Sequence, residues 1–284
     1  MKKIKLLMCI SLVLLTGCIK RDNLENIKIY TTAYPIEYIV NNLYGTHSSV
    51  KSIYPNGVDI NNYSLNDKQI KDYSSGNMYI FNGLTSENEY VVDMVKNNRQ
   101  LMIIDATSTM EYDNSVEELW LDPSNFLMMA LNIKNGLNGY ITNHYLKNDI
   151  EENYEILKIK ISNLDAKLKL LYENATSTTI VVDSNTLNFL SKYGFNIISL
   201  DSTTVTDKII SDAVNYLGKA KNKYVLTLDE AKISDTTKNV IDATKSGILV
   251  IHNLSNLTDK EKANKEDYIT LFNENIDKLK TAVY

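Results

Sequence analysis

Three histidines, His47, His144 and His252, and two cysteines, Cys9 and Cys18, are the side chains of this sequence best suited to hold a metal or attack a substrate. A usual zinc site gathers three or four such ligands. His47, in Tyr44-Gly45-Thr46-His47, and His144, in Thr142-Asn143-His144-Tyr145, read as surface loop residues, so the three histidines cannot supply that kind of site. His252 closes the apolar run Ile248-Leu249-Val250-Ile251, where it is either a satisfied histidine at the edge of a cleft or a ligand facing one. Among the carboxylates, Glu118 stands two residues before Trp120, the only tryptophan, in the stretch VEELWLDPSN, and Asp229-Glu230 follows another strand-like run. There is no Ser-His-Asp pattern and no glycine-rich loop to cradle a phosphate. The residues therefore point to binding, and no enzyme is expected.

Cys18 has a different chemistry. Lys2, Lys3 and Lys5, the apolar run from Ile4 to Leu15, and then Leu15-Thr16-Gly17-Cys18 make a secretory signal of the bacterial lipoprotein kind. The alternative, a short transmembrane anchor, has no need of that cysteine, and the run is short for a span. Residues 1–17 are read as the signal peptide and Cys18 as the lipid attachment point. Two acyl chains there would hold the protein firmly on the outer face of the cytoplasmic membrane. Cys9 leaves with the signal, so no internal disulfide is expected. The signal also takes three lysines from the 30 basic residues and none of the 35 acidic ones, leaving a net charge near −8. That balance argues against nucleic acid, which rewards basic patches.

The elements that must position these side chains fall into two tracts of alternating strand and helix patterns, the signature of parallel β-α-β units. Strands are expected at residues 27–32, 50–54, 78–81 and 101–104, with helices around 36–43, 66–73 and 87–98. The second tract has strands at 179–182, 195–198, 224–227 and 248–251 and a last helix near 266–281. Between the tracts, from Asp149 to about Asn174, there is neither glycine nor proline, and Leu157, Ile161, Leu164, Leu168 and Leu171 form one apolar seam. At 1.5 Å per residue such a helix reaches about 39 Å, the length of a whole domain. The expected fold class is thus α/β: an N-terminal lobe over 18–148, a connecting helix over 149–175 and a C-terminal lobe over 176–284, each lobe with a parallel sheet. A helical connector is stiffer than a loop, so any closure on a ligand should be small.

Ligands of α/β folds bind at the carboxyl ends of the strands. There the sequence reads Pro55-Asn56-Gly57-Val58-Asp59-Ile60-Asn61-Asn62-Tyr63, Asn82-Gly83-Leu84-Thr85-Ser86-Glu87, and Trp120-Leu121-Asp122-Pro123. In this order, with Thr31-Thr32-Ala33-Tyr34-Pro35 ahead and a lipobox in front, these segments resemble the metal-binding solute-binding lipoproteins of zinc and manganese ABC importers. All three prolines lie within the matches.

The resemblance implies a divalent metal ion held between the lobes, normally by three histidines and one carboxylate. At those four positions this chain has Asn61, Glu118, Ser184 and His252. One imidazole and one carboxylate are good ligands, an amide oxygen is weak and a hydroxyl weaker. The set should lose zinc affinity and suit an oxygen-tolerant ion such as manganese, or calcium if Asp183 joins. Asp59 is expected to brace its own loop, Asp122 to cap the helix that follows, and Tyr34 and Tyr63 to line the cleft. The partners implied are the permease and ATPase of a metal importer, with the protein itself a monomer. The alternative is a diverged relative without metal transport, acting as an accessory or adhesion lipoprotein or binding another small polar ligand.

Overall fold

The structure is a computed structural model and describes residues 24–284; the signal and Cys18 lie outside the described residues. Strands β1 (Ile27–Thr31), β2 (Ser48–Ser52), β3 (Met78–Phe81) and β4 (Met102–Asp105) form one parallel sheet in the order β2-β1-β3-β4. Strands β5 (Thr179–Val182), β6 (Asn196–Ser199), β7 (Tyr224–Thr227) and β8 (Gly247–Val250) form a second in the equivalent order β6-β5-β7-β8. The helices of the first lobe are α1 (Tyr34–Tyr44), α2 (Asp67–Ser74), α3 (Glu87–Asn97), the single turn α4 (Glu118–Leu121) and α5 (Pro123–Tyr140). The long helix α6 (His144–Glu173) follows, then α7 (Asp207–Lys219), α8 (Asp235–Thr244), α9 (Asp259–Ala263) and α10 (Tyr268–Val283).

Alternation along the strands explains how each sheet is covered on both faces. In β3, Met78 and Ile80 enter the main core, while Tyr79 and Phe81 face a smaller cluster with Tyr54, Ile70 and Met94. In β5, Ile180 and Val182 face the main core and Val181 the outer cluster with Leu217 and Val225. The main core is continuous from Ile27 to Val283 and belongs to both lobes. Helix α6 is its axis: Leu157, Ile161, Leu164, Leu168 and Leu171 are all buried, and the helix packs against α1, α5 and α10.

Most boundaries lie within one or two residues of the sequence reading, and two of the differences have a local cause. Helix α6 begins at His144 because the side chain of Asn143 accepts the Tyr145 amide hydrogen at 2.9 Å and caps it, so His144 is the first residue of a helix. Strand β2 is shifted two residues towards the N-terminus because it aligns residue by residue with β1, Ile27 opposite Ser48 and Thr31 opposite Ser52. Ile53 still donates its amide to Thr31 at 2.8 Å before the chain turns away at Pro55.

Candidate functional site

Each segment that leaves the carboxyl end of a second-lobe strand contributes to one cleft, and two first-lobe segments face them. The residues after β2 bring Asp59 and Asn61, and the stretch after β4 brings Glu117. From the second lobe come Asp183 and Ser184 after β5, Asp201 after β6, Asp229 and Lys232 after β7, and His252 after β8. The cleft has a volume of about 480 Å³. This is the place where doubly wound folds keep their ligands.

Local turn chemistry holds most of these side chains. Asp59 braces its loop as expected, accepting from the Asn61 amide at 3.1 Å and from Asn62 Nδ2 at 2.8 Å. Ser184 caps the 3-10 turn Asn185–Tyr193, accepting from the Thr186 amide at 3.2 Å. Asp229 caps the turn Glu230–Lys232 through the Ala231 amide at 3.0 Å. Asp183 accepts from the Thr237 hydroxyl at 2.5 Å and the Thr227 hydroxyl at 3.3 Å. Burial raises the pKa of the Asp201 carboxyl, but hydrogen bonds from Thr203 and the Asn185 amide outweigh it and hold the group below the usual range.

One cation answers these acids. Lys232 Nζ lies 2.9 Å from Asp59 Oδ2 and 3.6 Å from Asp229 Oδ2, so an ion pair crosses from one lobe to the other. Its hydrogen bond to Asp59 raises the lysine pKa, and the same bond lowers that of Asp59. Both side chains are exposed, so the pair orients the loops more than it stabilises them.

Of the four ligand positions expected from the sequence, the cleft gathers Asn61, Ser184 and His252. Glu118 is buried and not among the lining residues; its oxygens accept from the Asp113 amide at 3.0 Å and from Asn114 Nδ2 at 2.6 Å. The carboxylate at the cleft is that of its neighbour Glu117, which accepts from Asn61 Nδ2 at 3.0 Å. Successive helical residues point about 100° apart. Glu117, the residue that precedes α4, and Glu118, its first residue, therefore point in different directions, and Glu117 is the one at the cleft.

His252 is satisfied at both ring nitrogens. Nδ1 accepts the Leu254 amide hydrogen at 2.9 Å, which leaves the proton on Nε2, 3.2 Å from Glu261 Oε1. Burial lowers the histidine pKa, opposed in part by Glu261, so the ring is neutral and acts as a spacer between two loops. Among the described residues no three His, Cys, Asp or Glu side chains are gathered closely enough to hold a metal ion. Tyr34 and Tyr63 do not line the cleft: Tyr34 is buried at the start of α1, and Tyr63 packs edge-on against Tyr54.

The cleft floor is fastened across the lobes. Gly57, in a left-handed conformation at φ 70°, donates its amide to Leu257 at 2.8 Å. Asn256 Nδ2 donates to the Pro55 carbonyl at 2.6 Å, and Asn56 Nδ2 to Asp259 at 2.7 Å. Trp120, fully buried in the first lobe, donates from Nε1 to the Asn253 carbonyl at 2.8 Å, and the Tyr268 hydroxyl donates to the Trp120 carbonyl at 2.5 Å. Asp122 caps α5 through the Ser124 amide at 2.9 Å, as expected, and also pairs with Lys192. Glu87 supports the other end of the same loop: buried behind β3, it accepts from the Tyr54 hydroxyl at 3.1 Å and from the Asn82 amide at 3.0 Å.

Comparison with known proteins agrees with this plan. The family model of the zinc-uptake complex component A, periplasmic, matches residues 29–282. The iron-binding protein YfeA of Yersinia pestis is 24% identical over 275 residues, covering 91% of this chain and 86% of its own. The zinc-binding protein AdcA of Streptococcus pyogenes is 21% identical, with 89% of this chain covering 55% of that longer one. The zinc-bound ZnuA-like domain of Streptococcus pneumoniae AdcA superposes with a TM-score of 0.73 at 18% identity, over 91% of this chain and 99% of the domain.

Proposed function

The chain belongs to the zinc-uptake component A family of metal-binding, substrate-binding proteins of ABC transporters, and from that premise we propose that it is a lipid-anchored solute-binding protein. It captures a divalent cation in the cleft between its lobes and delivers the ion to a membrane permease driven by an ATPase. Cys18, the lipidated residue in this reading, tethers it to the extracytoplasmic face of the membrane. Among the described residues no helix is long and apolar enough to cross a membrane.

The observation that carries the reading is the charge of the cleft. Asp59, Glu117, Asp183, Asp201 and Asp229 line it against the single cation Lys232, and all follow strand ends of the two lobes. Carboxylate, amide and hydroxyl oxygens suit manganese or calcium better than zinc. Glu117, Asn61, Asp183 and Ser184 are the first oxygen donors in this proposal. His252 joins only if Nδ1 releases the Leu254 amide, or takes the proton so that Nε2 is freed from Glu261, and Glu118 only if it releases Asp113 and Asn114.

A second reading, a diverged member that takes a different small polar ligand or serves as an accessory lipoprotein, is favoured by one observation. Both nitrogens of the only histidine at the cleft are already occupied.

Thermal unfolding after EDTA, then with manganese, zinc, iron(II) or calcium, separates the two. A cation present at a hundred times its Kd stabilises the fold by about 2.7 kcal/mol. The proposal expects a shift with manganese that Glu117→Ala removes and Glu118→Ala leaves. A shift lost instead in Glu118→Ala would restore the position implied by the sequence, and no shift with any ion would give the second reading first place. Fractionation of a Cys18→Ala variant tests the anchor: its retention on membranes would exclude lipid tethering at that residue.

A further inference from the structure

Among the described residues that line the cleft Lys232 is the single cation, and it reaches in from a fixed base. Its amide donates to the Asp229 carbonyl at 3.1 Å, within the turn Glu230–Lys232 that Asp229 caps. From there Nζ extends to Asp59 Oδ2 of the other lobe at 2.9 Å, with Asp229 Oδ2 at 3.6 Å. The ammonium is thus flanked by one carboxylate from each lobe, on ground that a captured cation would also seek.

Loop architecture does not require this lysine. Asp59 is already held by Asn61 and Asn62, and Asp229 by the Ala231 amide. The donors to the other cleft acids are neutral: Asn61 for Glu117, the Thr227 and Thr237 hydroxyls for Asp183, and Thr203 with the Asn185 amide for Asp201. Lys232 therefore supplies the only full positive charge set against five carboxylates. Its side chain is 64% exposed, so it can swing into water without opening the fold, and an exposed ion pair of this kind is weak and screened by salt.

We infer that Lys232 is a tethered competitor for the transported ion: its ammonium serves Asp59 and Asp229 in the ion-free cleft, swings out to solvent when a divalent cation enters, and returns as the ion leaves. The inference rests on the importer reading given above. A divalent ion brings two charges where the ammonium brings one, so it wins the exchange and gains Asp59 and Asp229 as acidic neighbours beside Glu117 and Asp183. The cost of displacing the lysine makes the affinity lower than five acids alone would give. Release is eased by the same amount, because the carboxylates that lose the ion regain a counter-charge that never left the protein.

The test is calorimetric titration of manganese into the whole chain, in detergent and after EDTA treatment. Lys232→Gln should bind manganese about tenfold more tightly than wild type, the effect of removing one charge several ångströms from a divalent ion. Lys96→Gln makes the same change in net charge at the C-terminal end of α3, away from the cleft, and should bind as wild type does. Both lysines are exposed, and melting curves verify that the variants fold. Displacement itself is read by acetylating wild type with an N-hydroxysuccinimide ester: the peptide carrying Lys232 should be labelled faster at saturating manganese than without it. If wild type binds manganese, labelling that is unchanged or slower overturns the inference and leaves the importer reading standing; so does Lys232→Gln binding no tighter than Lys96→Gln. Binding by Lys232→Gln where wild type shows none supports the inference, and manganese binding by neither overturns it together with the importer reading.

Discussion

Glu87 is the carboxylate whose surroundings disturb it most. Burial raises its pKa from 4.5 to about 7, against the hydrogen bonds it receives. Since the folded value is the higher one, the folded state holds the proton more tightly than the unfolded chain. The stability this contributes is complete below pH 4.5 and is lost as pH rises through 7. Over that window the change is on the order of 3 kcal/mol. Wild type should therefore melt at progressively lower temperature between those limits, and Glu87→Gln should flatten the dependence; an unchanged slope in the variant would assign it to other groups. The sequence marks Glu87 through the Asn82-Gly83-Leu84 motif, but nothing in it shows that the acid is buried behind a tyrosine. In the same way Asn61, Ser184 and His252 were legible as cleft residues. Which of Glu117 and Glu118 turns inward was not, because the choice is made by Asp113 and Asn114, whose loop engages one glutamate and leaves its neighbour to Asn61. Lys232 escaped notice for a related reason: it follows Asp229 through a 3-10 turn that brings it back over the cleft.

Strands and helices were easier to read than side-chain directions, since period and capping are local. Buried parallel strands appear as short apolar runs, and Pro35, Pro123 and the Asn66/Gln69 capping box mark helix starts directly. The start of α6 was missed because its cap, Asn143, precedes a histidine and an exposed tyrosine rather than an apolar residue. VEELWLDPSN folds as a short turn, a cap and a long helix, and its tryptophan reaches the other lobe. Replacing Trp120 by Phe removes the donor to the Asn253 carbonyl and leaves a small void in a fully buried site. A loss of about 2–4 kcal/mol is expected in urea unfolding, together with faster amide exchange over residues 253–258. A neutral result would mean that solvent reaches the Asn253 carbonyl.

At the scale of the molecule, the two sheets repeat one strand order yet share a single core around α6. The lobes should therefore not unfold one after the other. Far-ultraviolet dichroism and the fluorescence of Trp120 should report one coincident transition, and two separated transitions would show that the lobes carry independent cores. The shared core also has a consequence for biogenesis. Helix α10 is made after everything it packs against, and α6 cannot complete its burial until that last helix arrives. A nascent chain that has finished the first lobe and α6 still carries bare leucines along its backbone helix. Until residue 283 emerges, such a chain is a client for any chaperone that holds exposed apolar surface.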